Sequence, residues 1–521
     1  MKRILPTLTS AVISAAYVMI APGSEDLAAH LLRAKLFDTG GWFGIWNNWW
    51  FAGHNVPGYS VLFPPLAALA TPQIAAAIAC PASTAVFDSL VRRRFGEDAW
   101  LGSLWFGVAT TSSLFTGRLT FAVGLLPAVG TALALQRRRP VLAVVLAAAT
   151  ALASPVDALF AALAGAAQAV AAYRRERRLK PALPGIAVVI ASLTPVLILS
   201  LLFPEGGTEP FAFSALWPVV LISVAVVFAI PREDLALRAG ALLYALGCIA
   251  AYAVASPVGS NADRLGPLLA GPLLALLWWR KRTLALVAAA LPLLYIQWQA
   301  PVRDVRAAGN NPALTTSYYE PVISYLRRQS GPPFRVEIPP SVFHWESYAV
   351  APYFPLPRGW ERQLDIKYNG LFYGSPLTPT TYEAWLHELA VRFVAVSDAE
   401  LDYSAKAEVA LIDRGLPYLR LVDRMRHWRV YEVAAATPIV QSPAATLTAL
   451  GPNWITLTAT RPGTAFLRVR YSPYWAVTTG AGCVSPDQGF TALMVHRPGP
   501  FKLAIRFSLS RIGSDTARCG R

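Results

Sequence analysis

Long apolar runs separated by short polar clusters fill the first three hundred residues. A hydrocarbon core about 30 Å thick takes roughly 20 helical residues to cross. On that criterion the runs predict eleven spans, near residues 4–22, 60–90, 99–116, 119–136, 140–154, 156–173, 183–203, 212–230, 236–255, 265–279 and 283–299. The least regular stretch is 140–173, where "LAAATALASPVDALFAALAGA" carries Ser154-Pro155 at its middle. Proline disfavours an uninterrupted helix, so two short spans are predicted there. After Pro301 the runs shorten to strand length. "FRVEIPP", "VRFVAVSD", "YLRLVDR" and "HWRVYEV" read as strands, with "TYEAWLHELA" and "AKAEVALIDRG" as helices between them. From about residue 436, "ATLTAL", "WITLTAT", "TAFLRVRYSPYWAV", "FTALMVHRPG" and "FKLAIRFSLS" alternate with Gly and Pro turns, the pattern of a β-sandwich. The expected architecture is a polytopic α-helical membrane domain over 1–300, an α/β domain over 301–434 and a β-sandwich over 435–521.

Composition agrees with the pattern. Of 521 residues, 55% are hydrophobic and 15% charged, too apolar a balance for a soluble enzyme. The net charge of +16 does not predict a nucleic-acid partner, because the basic residues of the first half sit in short clusters between apolar runs. The basic start and apolar stretch of "MKRILPTLTSAVISAAYVMIAPGS" fit either a cleaved leader or a first span, and the runs that follow favour the span.

The clusters also give an orientation. Lys2, Arg3, Arg92–Arg94, Arg137–Arg139, Arg174 to Lys180, Arg232, Arg238 and Arg280–Arg282 fall in alternate loops, and only Arg33, Lys35, Arg118 and Arg264 fall in the others. Basic loops stay on the cytoplasmic side. The expectation is a plasma (inner) membrane protein with a cytoplasmic N-terminus and with residues 301–521 outside. In that compartment Cys483 and Cys519 are candidates for a disulfide.

Candidate chemistry concentrates at the outer ends of the spans, where polar groups mark a cavity or a partner. In "SEDLAAHLLRAK", Asp26, His30 and Arg33 are spaced i, i+4, i+7 and share one helical stripe. Ser24 reads equally as an N-cap, with Glu25 and Asp26 suited to the helix dipole. "GGWFGIWNNWWFAGHNVPGYSVLFPP" reads either as an interfacial aromatic belt or as a sugar platform, with Asn48 and His54 among rings that suit a sugar's C–H faces. Arg118 and Arg264 either pair with acids such as Asp263 or neutralise a lipid phosphate. Asp157 in "SPVDAL" and Glu205 in "PEGGTEP" complete the set. No Walker A, HExxH, paired CxxC or GxSxG motif is present, so ATP hydrolysis, zinc proteolysis and serine hydrolysis lack support. His344, His387, His427 and His496 have no metal-like spacing and read as surface or core residues.

Together "GSEDLAAHLLRA", "GHNVPGYSVLFPP", "GRLTF", "LASPVDALF" and "GSNADRLGPL", followed by an exported α/β and β-sandwich tail, resemble the GT-C superfamily of integral-membrane glycosyltransferases. More closely, the chain is similar to the YfhO-like and 6-pyruvoyl-tetrahydropterin-synthase-related membrane proteins of bacteria. The resemblance implies transfer of a sugar, on the outer face, from a polyprenyl-phosphate donor to a glycan, lipid or protein acceptor. It places the general base at Asp26, with Glu25 as neighbour or substitute. His30, Arg33, Asn48, His54, Arg118, Asp157, Asp263 and Arg264 would then contact substrate. The later paired acidic motif of many such enzymes has only Asp157, Glu205 and Asp263 as counterparts, which leaves a divalent metal open as cofactor. Two other classes remain: a lipid or polysaccharide transporter, and a non-catalytic envelope-assembly protein of the same shape.

Overall fold

Every apolar run expected to span the bilayer is helical. The computed structural model describes residues 2–40, 44–374, 376–514 and 516–519. Among these, six helical stretches are long and apolar enough to cross a membrane: Pro72–Phe115, Leu119–Gln136, Pro155–Glu176, Lys180–Leu202, Leu235–Ala253 and Thr283–Ala308. Leu5–Ile20, Pro140–Ala153 and Phe213–Ala229 are shorter apolar helices. The 14 residues of Pro140–Ala153 make a rod of about 21 Å. Side chains such as Leu284, Phe228 and Leu291, each more than three-quarters exposed, give these helices the apolar exterior that lipid requires. The chain is a membrane protein by this measure.

The expected break at Ser154 is present. Ser154 is extended, and its side chain accepts from the Asp157 backbone N–H, ending one helix at Ala153 and capping the next at Pro155. Small residues let the helices approach closely, as is common in membranes. A Cβ on Gly165 would lie 2.7 Å from the Gly185 carbonyl oxygen. Elsewhere rings fill the core, with Phe87 stacked on Phe106 at 3.9 Å.

Two compact units divide the chain. The first takes the chain up to Ala34 with Gly58–Ser200 and Gly206–Gly309; the second takes Lys35–Pro57, Leu201–Glu205 and everything from Asn310. The division therefore departs from a boundary near residue 300, because the Trp-rich segment and Leu201–Glu205, which includes the end of helix Leu183–Leu202, belong with the C-terminal residues.

In the second unit, Arg335–Glu337, Val391–Ser397, Trp428–Val433 and Leu419–Met425 form one sheet in that order, the first pair parallel and the others antiparallel. Helices Pro379–Glu388 and Lys406–Asp413 bury Tyr382, Trp385, Leu411 and Ile412 in its core. Two antiparallel four-stranded sheets follow. One orders Gly482–Asp487, Phe490–Val495, Gly463–Arg470 and Val440–Gln441; the other orders Trp475–Thr479, Gly499–Ile505, Trp454–Ala459 and Ala445–Leu450. Alternate residues of both sheets, among them Leu447, Ile455, Leu467, Trp475, Leu493 and Leu503, share one apolar core. Cys483 and Cys519 are joined by a disulfide.

Candidate active site

In the first unit, the segment after the first helix meets the loop before Leu119–Gln136. Ser24 is buried, but it does not act as the expected side-chain cap: its Oγ has no hydrogen-bond partner among the described residues. It abuts Gly117 instead, where an added Cβ would stand 2.4 Å from that oxygen and 3.3 Å from the Asp26 Cβ. With φ at +73°, position 117 favours glycine on conformational grounds as well.

Helix Leu27–Gly40 begins beside Asp26, whose carbonyl accepts from the His30 N–H at 3.2 Å. The His30 ring is fully buried, with Nε2 2.9 Å from the Gly117 carbonyl oxygen and the ring 4.9 Å from Phe63. Burial pushes its pKa down to about 4, against the opposing pull of Asp26. His30 is therefore neutral near pH 7, and as Nε2–H it donates to Gly117. One turn on, the Arg33 guanidinium lies 3.6 Å over the Tyr59 ring.

Arg118 follows Gly117 directly. It is close enough to Arg264, Asp263, Asp26 and Asp304 to interact with each electrostatically; burial and Arg264 lower its pKa, and the three acids oppose them. Asp263 lies in the 3₁₀ turn Gly259–Arg264. Burial raises its pKa, while Arg118 and Arg264 pull it down. Arg264 donates to Asn261 and sits 5.7 Å from the centre of the Phe121 ring. Asp157, on Pro155–Glu176, is fully buried and interacts with Arg264; neither carboxylate oxygen has a hydrogen-bond partner among the described residues. Three separate loops and two helices thus bring Asp26, His30, Arg33, Arg118, Asp157, Asp263 and Arg264 into one charged neighbourhood. Asp304 joins them from Thr283–Ala308 through Arg118 and Asp26. Sequence reasoning missed it, although "RDVR" at the end of the last span was its signal.

Glu25 is half-buried next to Asp26 in the first unit, whereas Asn48, His54 and Glu205 lie in the second. Asn48 accepts from the Trp46 indole N–H at 2.7 Å and donates to the Gly451 carbonyl at 2.9 Å. His54 accepts from the Asn47 amide at 3.1 Å, donates to the Asn55 carbonyl at 3.0 Å and stacks on Trp50. Trp50 donates to the Ser347 carbonyl, and its ring fills the space where a side chain on Gly359 would stand. Trp46, Trp49, Trp50 and Phe51 are buried in the unit rather than set out as an aromatic belt or an open sugar platform; Trp42 and Phe43 of the same segment lie outside the described residues. Tyr474 and Trp475 of "YSPYWAV" are likewise buried. Glu205 accepts from the Tyr368 hydroxyl at 2.8 Å and from the Asn55 backbone N–H.

A buried ionic network in the same unit left no legible signal. The Arg358 guanidinium donates to both oxygens of Asp365, to Ser404 at 2.7 Å and to Glu408 at 3.4 Å. Tyr382 donates to Glu408 at 2.8 Å. His344, read from sequence as a surface or core residue, is buried; it stacks on Trp360 with centroids 3.4 Å apart and lies between Glu346 at 3.6 Å and Asp402 at 3.7 Å.

Among the described residues no group of three or more His, Cys, Asp or Glu stands together as a metal site. No protein-family model matches the chain. A comparison with curated proteins finds no match either.

Proposed function

We propose that this chain is a membrane glycosyltransferase that moves a sugar from a polyprenyl-phosphate donor to a cell-envelope acceptor on the outer face of the plasma membrane. What carries the reading is the convergence of Asp26 with Arg118 and Arg264, from three loops distant in sequence, in one charged neighbourhood. The chemistry asks for those two charge types together. The acceptor hydroxyl attacks C1 of the donor sugar; the new O–C1 bond forms as the C1–O bond to phosphate breaks. The hydroxyl proton goes to the Asp26 carboxylate, and the electron pair of the broken bond goes to the phosphate oxygen, where Arg118 and Arg264 stabilise the charge. His30, neutral and donating to Gly117, positions the loop that carries Arg118 rather than serving as base. Asp263 and Asp304 hold the two arginines against each other's repulsion.

The test is turnover of a synthetic polyprenyl-phosphate sugar by the reconstituted protein. Asp26→Asn is expected to lower kcat by about 100-fold or more. Full glycan assembly by that variant in a deletion strain would remove Asp26 as base. Donor binding without turnover over several acceptors would favour a non-catalytic envelope protein, and lipid translocation without an acceptor would favour a transporter.

A further inference from the structure

The helix Leu183–Leu202 belongs to the most hydrophobic of the candidate spans. Its end is fastened to the strand-rich region within the second unit. The Leu202 carbonyl accepts from the Tyr474 hydroxyl at 2.7 Å. The next ring, Phe203, lies 5.7 Å from Tyr474 and 5.8 Å from Phe507, and Tyr474 lies 5.2 Å from Phe507. A helix that crosses a bilayer ends in the headgroup region, where Tyr and Trp concentrate. Residues one ring contact from such an end share its depth.

Phe507, at that depth, and apolar side chains on either side of it in this region are exposed. Leu201 is 60% exposed, Phe507 46%, Leu509 74% and Ile512 37%. The 3₁₀ turn Leu509–Arg511 sets Leu509 and Ile512 three residues apart, so in 3₁₀ geometry they lie on one side. Arg511 pins that turn, donating to the Pro473 and Thr516 carbonyls. Arg506, next to Phe507, is exposed. Apolar side chains, a helix terminus and an exposed basic residue are the parts of an interfacial anchor.

We propose that Phe507, Leu509 and Ile512 insert into the headgroup boundary of the leaflet in which Leu183–Leu202 ends, with Arg506 at lipid phosphate. The anchor needs the chain to be a membrane protein and does not depend on glycosyl transfer. The experiment uses the full-length chain in phosphatidylcholine–phosphatidylglycerol nanodiscs, with Cys80 and Cys248 replaced by alanine and Leu509→Cys or Ile512→Cys labelled with an environment-sensitive fluorophore. Both labels are expected to shift to the blue and to be quenched severalfold more by a headgroup-level spin-labelled lipid than by aqueous iodide. Strong iodide quenching without lipid quenching would overturn the proposal. So would shielding from both quenchers, which would mean that protein covers the patch.

Discussion

At the scale of single residues, the site turns on one carbonyl. His30 donates to the Gly117 oxygen, and Gly117 precedes the arginine that interacts with Asp26, Asp263 and Asp304. His30→Ala leaves that buried oxygen unpaired, at a cost of about 1–3 kcal/mol, and frees the loop. The expected result is a KM for the lipid-phosphate donor raised roughly 10-fold with a smaller change in kcat, and partial recovery in His30→Gln, which keeps a donor. Equal loss in both variants, confined to kcat, would assign His30 to the chemical step instead. Because its pKa lies near 4, His30 itself contributes no inflection to the pH–rate profile between pH 5.5 and 8.

At the scale of elements, the helix Lys406–Asp413 and the strand Arg335–Glu337 carry acids into the interior of the second unit. Burial pushes the Glu408 pKa up to about 7, with Arg358 pulling the other way. Burial raises Glu337 too, and Glu408 adds to the rise. A carboxyl whose pKa is higher folded than unfolded contributes stability in full below about 4.3, its unfolded value, and loses it as pH rises through the folded value. His344 acts in the same direction. Burial alone would lower its pKa, but Asp402 and Glu346 raise it, so its contribution is present at acid pH and fades above the raised value. Asp402 is opposite in sign: burial would raise it, and His344 and Arg362 hold it below the ordinary range, so its contribution is lost only in strong acid. Thermal unfolding of the full-length protein, followed by tryptophan fluorescence, is expected to show a falling midpoint from pH 5 to pH 8. Glu337→Gln should flatten that slope while leaving the His344 share. An unchanged slope would clear the acid pair of the effect.

At the scale of the whole molecule, the alternation of basic loops predicts where each end lies. Cys483 and Cys519 are bonded, while Cys80 and Cys248 are buried free thiols; disulfides persist in oxidising compartments. A periplasmic reporter fused after residue 521 is expected to be active, and one fused after Arg282 inactive. A membrane-impermeant maleimide should label Cys483 and Cys519 in intact cells only after reduction. Activity of the Arg282 fusion, or labelling only in lysed cells, would reverse the topology and place the Asp26 cluster on the inner side.

Helices and strands were legible from the residues alone. Apolar runs of bilayer length, Pro at Ser154-Pro155 and alternation after residue 436 are local patterns, and local backbone preference and burial answer to them directly. The sequence also carried most of the charged cluster, because an isolated Asp or Arg beside a span end is conspicuous where lipid makes charge expensive. Which unit each polar residue joins followed from the folded chain and not from local pattern. Asn48 and Trp50 have the composition of a sugar platform, yet Gly451, Ser347 and Gly359, some three to four hundred residues away, pack against them. Arg358 and Glu408 gave no sign of burial, since a charged residue within an amphipathic helix or loop reads as solvated. The physical reason is common to both: periodicity records which face of an element is apolar, whereas the partner of a polar group is fixed by which elements meet, and that information is spread over the whole chain.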